Sequence, residues 1–210
     1  KALKIGKPIF MGGTAGYMTD TDPRLVALVD LDGTLANYSK AVFDGLELLR
    51  GPDEPLVLPN FGEEPPYIKN RIRLIRSVPS WWEELEPLPM GFKIVELLRK
   101  YNFSLNILTK GPWSNSNAWT EKVKWCRKYI ADAAVTITED KSIVYGKILV
   151  DDYIPYVESW LEFRPRGLVI MPAQPWNTGF EHPNVIRATK DNLHEVEIRI
   201  VETVEKALGL

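Results

Sequence analysis

Asp30 and Asp32 stand two residues apart where an unbroken apolar run, Leu25-Val26-Ala27-Leu28-Val29, gives way to Gly33 and Thr34. Two carboxylates at this spacing can divide the work of moving a phosphoryl group. Asp30, at the end of the run, can attack phosphorus and hold the group as an acyl phosphate, splitting one hard displacement into two easier ones. Asp32, just past the end, can protonate the leaving alkoxide and later deprotonate the incoming water. Gly33 lets the backbone turn sharply beneath the group. Two more apolar runs end in reactive side chains. Leu105-Asn106-Ile107-Leu108 leads into Thr109-Lys110-Gly111, and Ile148-Leu149-Val150 leads into Asp151-Asp152, with Lys141 ten residues ahead of Asp151. Thr109 and Lys141 offer a hydroxyl and a point charge to the transferring oxygens. Magnesium takes oxygen ligands and few of them from protein. Asp30, the Asp32 carbonyl and one of Asp151 or Asp152 make such a set, and the cation would offset repulsion between an anionic nucleophile and an anionic phosphate.

These groups can meet only if the elements carrying them end on one rim. The runs named above, together with Gly167–Met171 and a short fifth at Val185-Ile186, lack polar alternation, as strands buried on both faces do. Between them lie helical spacings: Ile94, Val95, Leu98, Tyr101; Trp119, Val123, Cys126, Ile130; Tyr156, Val157, Trp160, Leu161; Val196, Ile200, Val204, Leu208. Alternation of this kind predicts an α/β fold, a Rossmann-like parallel sheet with helices on both faces, whose ligands bind at the C-terminal ends of the strands. The rhythm breaks over residues 51–87, which hold seven of the 16 prolines and the pair Trp81-Trp82. The expected organisation is an irregular arm over 1–24 with a short strand near Pro8–Met11, a core over 25–36 and 88–210, and an inserted cap over 37–87 lying across the active rim.

Asp30-Leu31-Asp32-Gly33-Thr34-Leu35, an apolar strand ending in Thr109, and Lys141 ahead of Asp151-Asp152 resemble the motifs of the haloacid dehalogenase (HAD) superfamily over about residues 25–190. Aspartate at the second position of the Asp-x-Asp pair implies a phosphatase or mutase within it. A finer resemblance is to 5'(3')-deoxyribonucleotidases. It is carried by Trp82-Glu83-Glu84-Leu85-Glu86-Pro87-Leu88-Pro89, by Glu121-Lys122-Val123-Lys124-Trp125, by Glu139-Asp140-Lys141 and, among related nucleotidases, by Pro175-Trp176-Asn177. It implies Lys122 as a second phosphate-side lysine, Tyr38 and Trp82 as aromatics against the base, and Asp152 as the direct metal ligand with Asp151 in support. Trp81 and Trp176 map near the same edge, where aromatic faces stack on a nucleobase. Two departures stand out: Lys110 occupies a position that the family gives to a small residue, where it is counted among the phosphate-binding candidates as a lysine that could add a phosphate contact or point away, and the cap matches poorly beyond Tyr38.

The remaining features bound the reading. With 26 basic and 28 acidic residues the net charge is -2, which argues against a protein that coats nucleic acid. One cysteine, Cys126, excludes an internal disulfide, and it sits on an apolar helical stripe as a packing residue. No apolar run approaches the roughly 20 residues of a membrane helix. The opening residues begin at Lys1 without Met and lack the apolar stretch of about 7–15 residues of a secretory signal. A soluble, cytoplasmic protein is expected, with a homodimer as a possible assembly. Gly12-Gly13-Thr14-Ala15-Gly16 lacks the Lys-Ser/Thr ending of a phosphate loop and reads as a turn; His182 and His194 read as surface. Three functions compete. The first is a Mg2+-dependent 5'(3')-nucleotidase or deoxyribonucleotidase acting on a nucleoside monophosphate. The second is an end phosphatase on a polynucleotide, which needs a basic track such as Arg71, Arg73, Arg76, Lys122 and Lys124. The third is a non-enzymatic binding module, for which intact Asp30 and Asp32 have no use.

Overall fold

The computed structural model describes residues 22–56 and 64–210. The readings for the arm at Pro8–Met11 and Gly12–Gly16 lie outside the described residues. Six parallel strands form one sheet in the order β3-β2-β1-β4-β5-β6. They are β1 (Val26–Val29), β2 (Ser104–Thr109), β3 (Ala134–Ile137), β4 (Ile148–Val150), β5 (Leu168–Pro172) and β6 (Val185–Ala188). The chain runs outward from β1 through β2 to β3, then returns to the other side of β1 for β4, β5 and β6. β1 is therefore central, and its C-terminal end is the switch point where open α/β sheets bind ligands.

Side chains alternate across the sheet with period two. Ala27, Val29, Leu105, Ile107, Ile148, Val150 and Ile170 face a cluster that takes in α3 (Pro89–Lys100), α4 (Ser116–Tyr129) and α6 (Leu193–Leu208). Leu28, Leu108, Leu149, Val169 and Met171 face Val157, Trp160 and Leu161 of α5 (Ile154–Phe163). Covering both faces explains the unbroken apolar runs of β1, β4 and β5. β3 escaped the sequence reading for a physical reason. As an edge strand it is exposed or half-buried throughout, so its four residues carry no such run.

Helix α4 also departs from its predicted stripe. Its buried residues are Ala118, Glu121, Lys122, Trp125 and Cys126, whereas Trp119 and Val123 are only half-buried. Two charges lie on the inward face, which hydropathy alone assigns to solvent. Cys126 is buried, and burial pushes its thiol up to about 11, in keeping with a packing role. His182 and His194 are exposed.

Between β1 and α3, helices α1 (Tyr38–Leu49) and α2 (Pro66–Arg76) pack Val42, Leu46, Ile68, Ile72 and Ile75 into an apolar cluster of their own, with Tyr38 and Trp81 against it. The chain leaves and re-enters the sheet layer at one place. Ala36 bridges Pro87, the Asn37 amide donates to the Glu86 carbonyl at 2.8 Å, and the Leu88 amide donates to the Leu35 carbonyl at 2.7 Å. The helix pair thus stands beside the C-terminal end of β1.

Candidate active site

Three neighbouring strands, β2, β1 and β4, deliver Thr109, Asp30 and Asp151-Asp152 to one rim. Asp30 follows β1 directly. Its Oδ1 accepts from Lys141 Nζ at 2.5 Å, and the same ammonium donates to Asp151 Oδ2 at 2.7 Å. Lys141 reaches this position from a single 3-10 turn at Lys141–Ile143, held by the Asp140 carboxylate, which accepts from the Ser142 amide at 2.9 Å. Asp151 is fixed from its other oxygen by the Tyr153 amide at 3.0 Å. Asp152 accepts from the Thr34 hydroxyl at 3.1 Å and from Trp176 Nε1 at 2.9 Å, while its carbonyl accepts from Asn177 Nδ2 at 3.0 Å. Gly33 has φ +86°, and a Cβ there would stand 2.5 Å from Asp152 Oδ2, so both backbone shape and close approach require glycine.

Asp30, Asp151 and Asp152 each offer an oxygen within 4.8 Å of the others, and all three are buried. Burial raises the Asp30 carboxyl to about 7; Lys141 opposes the shift, and the neighbouring Asp151 and Asp32 charges add to it. Asp152 is raised well above the ordinary carboxylate range, first by burial and then by the charges of Asp151 and Asp30. Burial works against the charge on Lys141, but Asp151 and Asp30 outweigh it and hold that ammonium above an ordinary lysine. Three buried carboxyl groups, Asp30, Asp151 and Asp152, thus gather beside the ammonium of Lys141. A buried surplus of oxygen donors suits one hard divalent cation, with Asp30 and Asp152 able to hold it and Asp151 beside them.

Asp32 stands across the opening. Its Oδ2 accepts from Lys122 Nζ at 2.5 Å, whereas its Oδ1 is buried without a hydrogen-bond partner. The Lys122 ammonium also donates to Thr109 Oγ1 at 3.0 Å and to the Lys110 carbonyl at 2.7 Å, so its three N–H groups are all engaged. Lys122 therefore aligns Asp32 and Thr109, in addition to lining the cavity. Lys110 is exposed, and its ammonium lies 5.8 Å from the Tyr156 ring centroid, the ring over which Lys141 Nζ sits at 4.7 Å.

A cavity of about 590 Å³ opens over these groups, lined by Asp30, Asp32, Lys110, Lys122 and Lys141 from the core and by Tyr38, Ile72 and Arg76 from the helix pair. Of the aromatics picked from sequence, Tyr38 and Trp82 line it. Trp82 is only 3% exposed, with Tyr38 stacked on it at 5.7 Å and Lys122 Nζ 4.6 Å from its ring centroid, so little of its face remains for a ligand. Trp81 does not face this cavity. It meets Tyr38 and Trp82 edge-on and lines a separate apolar groove of about 580 Å³, because the turn before it points it back under α1 and α2. Trp176 is likewise not a wall of the cavity; its indole N–H is spent on Asp152. The expectation of base contact at Trp81 and Trp176 is corrected accordingly.

Glu121 escaped the sequence reading. Its buried carboxylate accepts from the Ser80 amide at 2.9 Å and the Trp82 amide at 3.2 Å, tying the turn segment that follows α2 to α4. Ser80 sits at φ +67°, a strained conformation for a residue with a Cβ, and the carboxylate helps hold it there. Gln174, Asn177 and Arg187 were also missed. Gln174 Nε2 donates to the Gly33 carbonyl at 2.8 Å, and Arg187 Nε donates to Asn177 Oδ1 at 2.9 Å, so they support Asp152 and the Gly33 turn from behind. The only signal for Glu121 was its place one residue before Lys122.

The model of the family described as "5' nucleotidase, deoxy (Pyrimidine), cytosolic type C protein" matches residues 24–203. The chain belongs to this family. The human cytosolic-type 5'(3')-deoxyribonucleotidase is 24% identical over 139 residues, covering 60% of this chain and 69% of that protein. A protein of Bordetella bronchiseptica, provisionally named a 5'(3')-deoxyribonucleotidase, is 25% identical over 163 residues, covering 73% of this chain and 86% of its own length. A haloacid dehalogenase-like hydrolase from Xanthomonas campestris superposes with a TM-score of 0.52 at 14% identity, covering 89% of this chain and 98% of that one. The nucleotidase-family chain thus has the fold of haloacid dehalogenase-like hydrolases, and its family makes it a phosphatase. No helix among its described residues is long and apolar enough to cross a membrane.

Proposed function

We propose that this nucleotidase-family phosphatase hydrolyses a nucleoside monophosphate through a phosphorylated Asp30, with Mg2+ held by Asp30 and Asp152. The observation that carries the reading is the arrangement at one rim: a buried carboxylate locked to Lys141, a second carboxylate held by Lys122 on the same cavity, and Tyr38 lining that cavity with its ring stacked on Trp82. Bound Mg2+ would draw charge from the phosphate oxygens and relieve repulsion among the carboxylates.

In the first half-reaction an Asp30 oxygen attacks phosphorus, a P–O bond to the aspartyl oxygen forms, and the P–O bond to the sugar oxygen breaks. The leaving alkoxide takes a proton from the Asp32 carboxyl, which lines the cavity. Water then attacks the same phosphorus, gives its proton back to Asp32, and the aspartyl P–O bond breaks to release inorganic phosphate. Lys141 holds Asp30 in line, and Lys122 holds Asp32 and Thr109 toward the phosphate. Tyr38 offers the sugar and base an aromatic edge. Acid-quenched enzyme incubated with a 5'-³²P-labelled nucleotide and magnesium should carry label on the peptide containing Asp30. Asp30→Asn should carry none and keep its fold by circular dichroism. Label on another residue would overturn the intermediate.

An oligonucleotide end phosphatase finds less support. Of the five cations that would make its basic track, Arg71 is paired with Glu54 at 2.6 Å, Arg73 bonds Asn70, Lys124 pairs with Glu83 at 3.1 Å and Lys122 is committed to Asp32. Steep salt dependence of binding would favour it all the same.

A further inference from the structure

Helix α2 presents Lys69, Ile72 and Arg76 to the catalytic cavity. The spacing i, i+3, i+7 places them on one face, with the buried Ile72 between two cations about 10 Å apart along the axis. Neither cation has a carboxylate within ion-pair distance among the described residues, although the neighbouring Arg71 does. Arg76 is also aimed. Its Nη1 donates to the Tyr38 hydroxyl at 3.3 Å, and its carbonyl is tied down by Trp82 Nε1 at 3.2 Å and Asn115 Nδ2 at 2.8 Å. Glu64 stands on the same wall, buried and already engaged.

The inner cations cannot account for this pair. Lys122 and Lys141 are consumed by Asp32, Asp30 and Asp151, and Lys110 shares the Tyr156 ring with Lys141 on the core side. Lys69 and Arg76 face the cavity from the opposite wall. A neutral base carbonyl would engage the half-buried Arg76 guanidinium and leave the exposed Lys69 ammonium to solvent. A dianion satisfies both, and guanidinium geometry favours phosphate. We infer that Lys69 and Arg76 form a second anion subsite, and that the preferred substrate is a nucleotide carrying two phosphates, one cleaved at Asp30 and one held by α2. This rests on the nucleotidase reading above and narrows its substrate class. A cavity of about 590 Å³ suits a single nucleotide rather than a strand.

The test compares phosphate release from a deoxynucleoside 5'-monophosphate, the 3',5'-bisphosphate of the same nucleoside, a 5'-phosphorylated trinucleotide and an aryl phosphate, all with magnesium. The bisphosphate should exceed the monophosphate in kcat/KM by about 10-fold or more, the scale of a charge-assisted hydrogen bond. Arg76→Gln and Lys69→Gln should each shrink that ratio, mainly through KM. Arg76→Lys should restore part of it, with melting curves confirming that the variants fold. Equal efficiency on monophosphate and bisphosphate, or a ratio that survives both substitutions, overturns the subsite and leaves the nucleotidase reading standing. A trinucleotide preferred over the bisphosphate overturns the mononucleotide class in favour of strand ends. Hydrolysis of the aryl phosphate alone overturns both readings.

Discussion

The two carboxylates read first from the sequence have opposite surroundings, and their proposed roles follow from that. Asp30 is enclosed and locked to one lysine, as an aligned nucleophile should be, whereas Asp32 has one oxygen held by Lys122 and one left without a partner. Asp32→Asn should lower kcat by about 10²–10⁴ on a nucleotide, whose alkoxide needs a proton, and far less on an activated aryl phosphate, whose phenolate does not. Equal losses on both would remove Asp32 from acid catalysis. These residues were legible because their types are needed at the reacting atoms and follow short apolar runs. The groups behind them were less so. Trp176 looked like a stacking aromatic, since nothing in Pro175-Trp176-Asn177 tells an indole ring used for its face from one used for its N–H. Its bond to Asp152 predicts that Trp176→Phe weakens the activating divalent cation about 10- to 100-fold, the usual cost of losing a supporting hydrogen bond to a metal ligand. A magnesium titration of activity checks this, and an unchanged half-saturation would show that Thr34 alone orients the carboxylate.

At the scale of elements, sequence reading succeeded where a segment obeys one period and failed where it serves two purposes. β1, β4 and β5 are buried on both faces and read as such; β3 lies at the edge and did not. Helix α4 serves both the core and the site. Its inward face, Ala118-Glu121-Lys122-Trp125, interleaves two charges with apolar residues, so a search for an apolar stripe settles to one flank of it, sharing only Cys126 with the helix's buried set. Those charges hold the molecule's two parts in register. Lys122 aligns the core's catalytic groups, while Glu121, one residue earlier, clasps the amides of Ser80 and Trp82. Glu121→Ala would leave two amide donors without an acceptor, at about 1–3 kcal/mol for each that stays buried. The expected result is a lower Tm together with a rise in KM for nucleotides that exceeds any change in kcat, because Tyr38 rests on Trp82. Glu121→Gln keeps one good acceptor and should recover part of both. If KM is unmoved while Tm falls, the clasp is purely structural.

Over the whole molecule, the alternation of elements predicts a parallel sheet, and the strand order explains how Asp30 and Asp152, 122 positions apart, come to share a site. β1 lies between β2 and β4, so the three loops that leave their C-terminal ends have no choice but to meet. The price of that convergence is electrostatic: Asp30, Asp151 and Asp152 are gathered within 4.8 Å in a buried place, and the carboxyls of Asp30 and Asp152 are pushed upward as a result. A divalent cation binding there must relieve the repulsion in the folded state and has no equivalent site in the unfolded chain, so it should stabilise the fold independently of any substrate. At a cation concentration about 100 times the dissociation constant the gain is about 2.7 kcal/mol, and for a domain of this length each 1 kcal/mol moves Tm by roughly 2–4 °C. Thermal melts in magnesium should therefore rise by several degrees with a saturable dependence. The chelated protein should melt lowest, and Asp152→Asn should melt nearly independently of magnesium. A melting temperature indifferent to divalent cations in the unsubstituted protein would mean that Lys141 alone satisfies the cluster, and the metal would have to leave the proposed mechanism.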